Sequence, residues 1–115
     1  MSVKLSTRQV GDVMVVDVSG RITLGEGSSN LRQSIRELLA AGHRKILLNL
    51  AEVSYIDSSG IGELVSGYTS VTNQGGQLKL VNLTKRVKDL LQITKLYTVF
   101  DIYDDEVHAI QSFGA

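Results

Sequence analysis

The chain has 115 residues, a length that fits one domain over 1–115 with enough volume for a hydrophobic core. Twelve Lys and Arg residues balance twelve Asp and Glu residues, so the chain lacks the positive excess with which proteins bind nucleic acid or an anionic membrane surface. Cysteine is absent, which excludes disulfides, thiolate catalysis and cysteine-based metal sites.

The first two predicted elements are strands that pair as a hairpin. Val3–Gln9 is a strand of mixed polarity, residues 10–12 supply a turn, and the β-branched run Val13–Val18 is the second strand, closed by Gly20. A connection this short joins antiparallel neighbours. The sequence therefore predicts a sheet that starts with an antiparallel hairpin.

A loop over residues 21–29 is expected to lead into the first helix. Three residues at its end carry side-chain oxygens suited to an N-cap: Ser28, Ser29 and Asn30. Apolar residues then recur at helical spacing, at Leu31, Ile35, Leu38 and Leu39. Gly42 is expected to end this helix, because glycine is the common residue at the C′ position.

The central stretch predicts a buried strand followed by a polar turn and a helix. Lys45–Leu50 contains an unbroken apolar run, which indicates a strand buried on both faces. After a short connector, the turn Asp57–Gly60 ends any extended structure. A helix is then expected from about Ser59 to residues 73–76. Its apolar face repeats at intervals of three and four: Ile61, Leu64, Val65, Tyr68 and Val71.

The remaining third predicts two more strands and two more helices. Gln77–Val81 is a strand, Asn82 or Thr84 caps a helix that follows it, and Thr98–Tyr103 is the last strand. Acidic residues open a terminal helix, whose expected inward residues are Val107, Ile110 and Phe113. The order predicts an α/β fold: a single domain with a mixed, mostly parallel sheet, an N-terminal antiparallel hairpin and covering helices.

The polar turn places a carboxylate and two hydroxyls where a helix begins. Backbone N–H groups are unpaired at that point, and the helix dipole favours negative charge there. Asp57, Ser58 and Ser59 therefore have two interpretations, which hold side by side. One is a helix cap, and the other is a modification site at which phosphate adds roughly −1.5 to −2 charges while the helix tolerates it.

Catalytic motifs find little support in the chain. Gly60-Ile61-Gly62 begins like a dinucleotide fingerprint, but Val65 stands where the third glycine would fall. A serine nucleophile needs a base, and the two histidines are expected elsewhere, with His43 at the opposite sheet end and His108 on the terminal helix. We therefore expect neither an enzyme nor a metal or cofactor site, and we assign the glycines to a tight backbone turn.

Several motifs resemble one known family. Asn49-Leu50 followed by Tyr55–Gly62 is similar to the pattern of the STAS domain in its stand-alone anti-sigma factor antagonist form. The resemblance extends over nearly the whole chain, including Val18–Gly20, Gly75-Gly76 and Val87–Leu91. In such proteins the serine directly after the aspartate is phosphorylated by the anti-sigma factor, which is also a kinase. The resemblance therefore implies that Ser58 is the phosphorylation site.

The resemblance also implies how such a switch works. The unphosphorylated form binds the anti-sigma factor serine kinase and frees the sigma factor, and a serine phosphatase resets the cycle. Turn-shaping and partner-binding roles are implied for Asp57, Ser59, Gly60 and Gly62. Many family members carry an acidic residue in the loop after the second strand, where this chain has Thr23, which supplies no such charge.

Two other functions use the same fold: a STAS subunit of a membrane lipid transporter and a ligand-sensing STAS module. The first residues lack the apolar core of a signal peptide, and no apolar run approaches membrane-spanning length. We therefore expect a cytoplasmic protein that neither inserts into a membrane nor contacts nucleic acid directly.

Overall fold

The computed structural model describes residues 3–114, and this part of the chain forms five strands and four helices. The strands are β1 Val3–Val10, β2 Val13–Ile22, β3 Lys45–Ile56, β4 Gln77–Val81 and β5 Asp101–Tyr103. The helices are α1 Glu26–Ala40, α2 Ser58–Asn73, α3 Lys85–Ile93 and α4 Glu106–Ser112. The predicted order of strands and helices is confirmed.

The five strands form one sheet in the order β1-β2-β3-β4-β5. β1 and β2 pair antiparallel, and the pairs β2-β3, β3-β4 and β4-β5 are parallel. At the centre of β3, Leu48 lies between Val16 and Leu80 and is fully buried. The predicted mixed, mostly parallel sheet with an N-terminal hairpin is therefore confirmed.

Helices cover both faces of this sheet, but unequally. A large core on one face joins the sheet to α1, α2 and α3, and a small core on the other face lies beneath α4. Neighbouring residues of β3 point to opposite cores, since Leu48 belongs to the large one and Leu47 to the small one. This explains why the run at the start of β3 is apolar without alternation.

Arg8 ties α4 to the hairpin. Its guanidinium donates to Asp17 Oδ2 over 2.7 Å and to Glu106 Oε2 over 2.9 Å. These hydrogen bonds lower the pKa of the Asp17 and Glu106 carboxyls and raise that of Arg8. The three side chains join β1, β2 and the first turn of α4.

The predicted connector after Leu50 is wrong, because β3 continues to Ile56. Its inward residues from this point are Leu50, Val53 and Ile56, a repeat of three where an ordinary strand has two. The pairing with β2 shifts register twice, and at each shift β3 carries one extra residue. Two bulges thus keep β3 paired with β2 while they change the spacing of its inward residues, so the alternation typical of a strand is lost. β2 likewise runs past Gly20, its predicted end, to Ile22.

The predicted N-cap of the first helix is also wrong. α1 begins at Glu26 behind Gly25, which has a φ of 98° and makes no side-chain cap hydrogen bond. Ser28 lies inside the helix and is buried, where its hydroxyl donates to the Thr23 carbonyl over 3.0 Å. A glycine with positive φ makes this turn through the backbone, so a search for capping side chains misses it.

The structure decides one open prediction in the C-terminal third of the chain and corrects two others. Thr84 caps α3, whereas Asn82, the other candidate, has a left-handed φ of 60°. The last strand begins at Asp101 and not at Thr98, because residues 98–100 form a turn. Of the three residues expected to point inward from the terminal helix, Ile110 and Phe113 pack against the small core, but Val107 is 65% exposed and Ala109 is buried in its place.

Candidate functional site

Asp57 connects two segments that meet at the carboxyl ends of β2 and β3. Its Oδ1 accepts a hydrogen bond from the Gly60 N–H over 2.9 Å, which caps α2. Its Oδ2 accepts one from the Leu24 N–H over 3.3 Å, and its own N–H donates to the Ile22 carbonyl. One carboxylate therefore holds the start of α2 against the loop that follows β2.

Ser58 and Ser59 directly follow the N-cap residue Asp57 and are the first two residues of α2. Ser58 is exposed and Ser59 is half-buried. Among the hydrogen bonds formed within residues 3–114, none involves either hydroxyl. The Ser58 side chain is therefore open to solvent.

Gly60 and Gly62 differ sharply in their surroundings. A Cβ on Gly60 would collide with the Ile22 carbonyl oxygen and would lie 2.6 Å from Ile56 Cγ1. A Cβ on Gly62 would meet nothing within 4 Å. Gly60 thus lets α2 start directly against the ends of β2 and β3, whereas Gly62 is a gap on the exposed side of the helix.

Thr23 lies in the loop between β2 and α1, beside the residue that Asp57 holds. It is half-buried, and its carbonyl accepts hydrogen bonds from the Ser28 N–H and the Ser28 hydroxyl, both over 3.0 Å. Its neighbour Leu24 bonds to Asp57. The fold therefore brings the Thr23 loop and the Ser58 turn to one edge of the molecule.

Comparison with protein families identifies this arrangement. The model of the STAS domain matches residues 4–109. The chain belongs to the STAS domain family. The resemblance inferred from the turn and its flanking motifs is therefore confirmed.

Individual relatives agree with this assignment. This chain is 33% identical over 102 residues to the anti-sigma-B factor antagonist of Bacillus subtilis, a match that covers 89% of this chain and 92% of that protein. The crystal structure of an anti-sigma factor antagonist from Mycobacterium paratuberculosis superposes with a TM-score of 0.88 at 21% identity, covering 99% and 96% of the two chains. The Bacillus cell fate determinant SpoIIAA, solved in its phosphorylated form, superposes with a TM-score of 0.74 at 20% identity over 95% and 98%. The two structures share the fold of this STAS domain.

The sequence analysis did not single out one exposed apolar side chain at this site, that of Leu24. Leu24 is 79% exposed, although its N–H is held by Asp57. The signal was a lone leucine within a loop of polar residues and glycines, Thr23-Leu24-Gly25-Glu26-Gly27. Leu24 and Ser58 are therefore both exposed, and each lies next to a backbone group that Asp57 holds.

Neither histidine lies in the segments that form the turn. His43 precedes β3 at the strand end opposite the turn, and the carboxylate of Asp105 raises the pKa of His108 on α4. Across residues 3–114, no group of three or more His, Asp or Glu side chains is arranged to hold a metal ion. The arrangement at the turn offers a hydroxyl and a contact surface.

An open cavity of about 620 Å³ lies elsewhere on this STAS domain. Residues of β1, β2 and β3 line it, among them Lys4, Asp17, Asn49 and Glu52, and the turn over residues 57–62 contributes nothing to it.

None of the helices described in residues 3–114 is long and apolar enough to cross a membrane.

Proposed function

We propose that this STAS domain, over residues 1–115, is an anti-sigma factor antagonist whose binding is switched by phosphorylation of Ser58. The unphosphorylated protein binds an anti-sigma factor that is also a serine kinase, and it thereby frees a sigma factor in the cytoplasm. The kinase supplies ATP and magnesium and transfers one phosphate to Ser58. A serine phosphatase then restores the binding form.

The observation that carries the proposal is the exposed Ser58 hydroxyl at the start of α2, in a turn whose shape Asp57 fixes. Phosphate at this position adds roughly −1.5 to −2 charges at neutral pH. Because a helix N-terminus favours negative charge, the turn keeps its structure while its surface gains negative charge. A modification with those two properties suits a binding switch.

The relatives support the same function. The Bacillus subtilis relative is named as an anti-sigma-B factor antagonist, and SpoIIAA has been solved in phosphorylated and unphosphorylated forms. The match spans 92% of the Bacillus subtilis protein, so the similarity is to nearly the whole of a named antagonist. This favours an anti-sigma factor antagonist over a transporter subunit or a ligand-sensing module.

The partner surface is assigned from the residues that surround Ser58. Leu24 supplies an apolar contact, and Thr23 and Ser59 lie beside it. Asp57 and Gly60 act by holding this surface in shape, through the cap and the close approach to Ile22. Phosphate on Ser58 would place a charge in the middle of this surface, where a partner would have to desolvate it.

The test is a phosphorylation assay with an anti-sigma factor kinase and ATP, followed by mass spectrometry of the digested protein. We expect one phosphate, on Ser58. Ser58→Ala should block it and keep the circular dichroism spectrum of the wild type, and the matched control Ser59→Ala should still accept one phosphate. Reproducible phosphorylation of Ser59 or Thr69 in place of Ser58 would overturn the assignment.

A further inference from the structure

Two arginines share one aromatic ring near the turn. The Cζ atoms of Arg21 and Arg86 lie 4.9 Å and 4.4 Å from the centroid of the Tyr55 ring. Arg21 is the register partner of Tyr55 in β2, and Arg86 comes from the first turn of α3. Three elements thus bring two positive charges to the carboxyl end of β3.

Neither the Arg21 nor the Arg86 guanidinium is paired with a carboxylate in the part of the chain that the structure describes, whereas Arg8 and Arg32 each hold a carboxylate. Two like charges on one ring repel each other, and a shared anion would relieve that repulsion. The pair therefore forms a cationic patch in a chain whose formal net charge is zero.

Arg86 is also the arginine that reaches the turn. Its Nη2 lies 3.5 Å from the Ile56 carbonyl oxygen, at the long limit for a hydrogen bond. Ser58 follows Ile56 by two residues, a separation of at most about 7 Å between Cα atoms. Arg86 is exposed, and its long side chain can exchange this long contact for a stronger one with a group on Ser58.

We propose that Arg86, supported by Arg21, binds the phosphate of phosphorylated Ser58 on the same chain. The inference rests on the proposed function, because it requires that Ser58 carry phosphate. The planar guanidinium fork matches two phosphate oxygens at once. Formation of this contact draws Arg86 away from Tyr55, so phosphorylation also uncovers one face of the ring.

The test uses protein in which phosphoserine is installed at position 58 during translation, so that no kinase is needed. The pKa of the phosphate is measured by a ³¹P NMR titration for the wild type, Arg86→Gln and Arg21→Gln. Arg36→Gln, an exposed arginine on α1, is the matched control. We expect Arg86→Gln to raise the phosphate pKa by about 0.3–0.7, the effect of losing an exposed ion pair. Arg21→Gln should raise it less, and Arg36→Gln should leave it unchanged.

The outcome separates this inference from the phosphorylation proposal. An unchanged phosphate pKa in Arg86→Gln would overturn the inference, whatever the kinase does. If the phosphate pKa stayed unchanged and Arg86→Gln weakened binding of the unphosphorylated protein to the anti-sigma factor, the inference would be overturned and the patch would bind an acidic group of that partner. Arg86→Lys retains the positive charge but lacks the planar fork, so its phosphate pKa should lie between those of the wild type and Arg86→Gln if the inference holds. Because two variants are compared, a folding defect in one of them does not decide the test.

Discussion

Replacement of Gly60 by alanine tests how the turn is built. The new methyl group would collide with the Ile22 carbonyl oxygen and lie 2.6 Å from Ile56 Cγ1, and a main-chain oxygen cannot move aside cheaply. Overpacking of this kind costs about 1–3 kcal/mol. A displaced helix start also weakens the capping hydrogen bond from the Gly60 N–H to the Asp57 carboxylate, worth about 1 kcal/mol. Against this, alanine returns about 1 kcal/mol of helix propensity. The expected net loss is about 2 kcal/mol.

Gly62→Ala is the matched control, because its methyl group would enter open space in the same helix. It should stabilise the protein by about 0.5–1 kcal/mol. Urea unfolding followed by circular dichroism should therefore place the two midpoints about 1–3 M apart, with Gly60→Ala the lower. If the two variants unfolded at the same urea concentration, the close packing of α2 on Ile22 would be refuted.

Three other substitutions test the core, the ion pairs and the cap. Leu48→Ala should cost roughly 2–5 kcal/mol in urea unfolding, and a change within about 0.5 kcal/mol would contradict the central burial of β3. Arg8 holds the pKa of Asp17 and Glu106 below their ordinary values of 3.8 and 4.5. The two ion pairs therefore stabilise the fold above those values, and this stabilisation is lost as the pH falls below them. Arg8→Gln should therefore lower the free energy of unfolding by up to about 1 kcal/mol at pH 6. In thermal melts the variant should lose less stability than the wild type when the pH falls from 6 to 3. If both proteins lost the same stability over this range, the role of Arg8 would be contradicted. Asp57→Ala should cost about 1 kcal/mol through the lost cap, and unchanged urea unfolding would show that the cap is dispensable.

The sequence predicted the elements whose periodicity is regular. The apolar spacing of α1 and α2 and the β-branched run of β2 each indicated the right structure, and the polar turn at Asp57 marked the start of α2 within one residue. These signals are local, because each depends on which face of one element is buried.

The errors arose where backbone geometry or distant contacts override local pattern. Two bulges change the inward repeat at the end of β3 from two residues to three, so the segment to Ile56 did not read as a strand. Gly25 starts α1 without a side-chain cap. Asp57 and Leu24 lie 33 residues apart, and the hydrogen bond that joins their segments leaves no local trace in the sequence.

The cationic pair shows the same limit for the site. Arg21, Tyr55 and Arg86 belong to three elements, and each alone is an ordinary surface residue. The chain could be assigned to its family from the turn, but the surroundings of the turn required the register of β2 on β3 and the position of α3.

The central claim is that phosphate on Ser58 controls partner binding without changing the fold. Titration calorimetry against the anti-sigma factor should compare the wild type, Ser58→Asp and the phosphorylated protein, with circular dichroism recorded for each. We expect affinity to fall from the wild type to Ser58→Asp and further with phosphate, because aspartate carries less charge and fewer acceptor oxygens, while the dichroism spectra stay the same. Equal affinity for all three forms would contradict the claim.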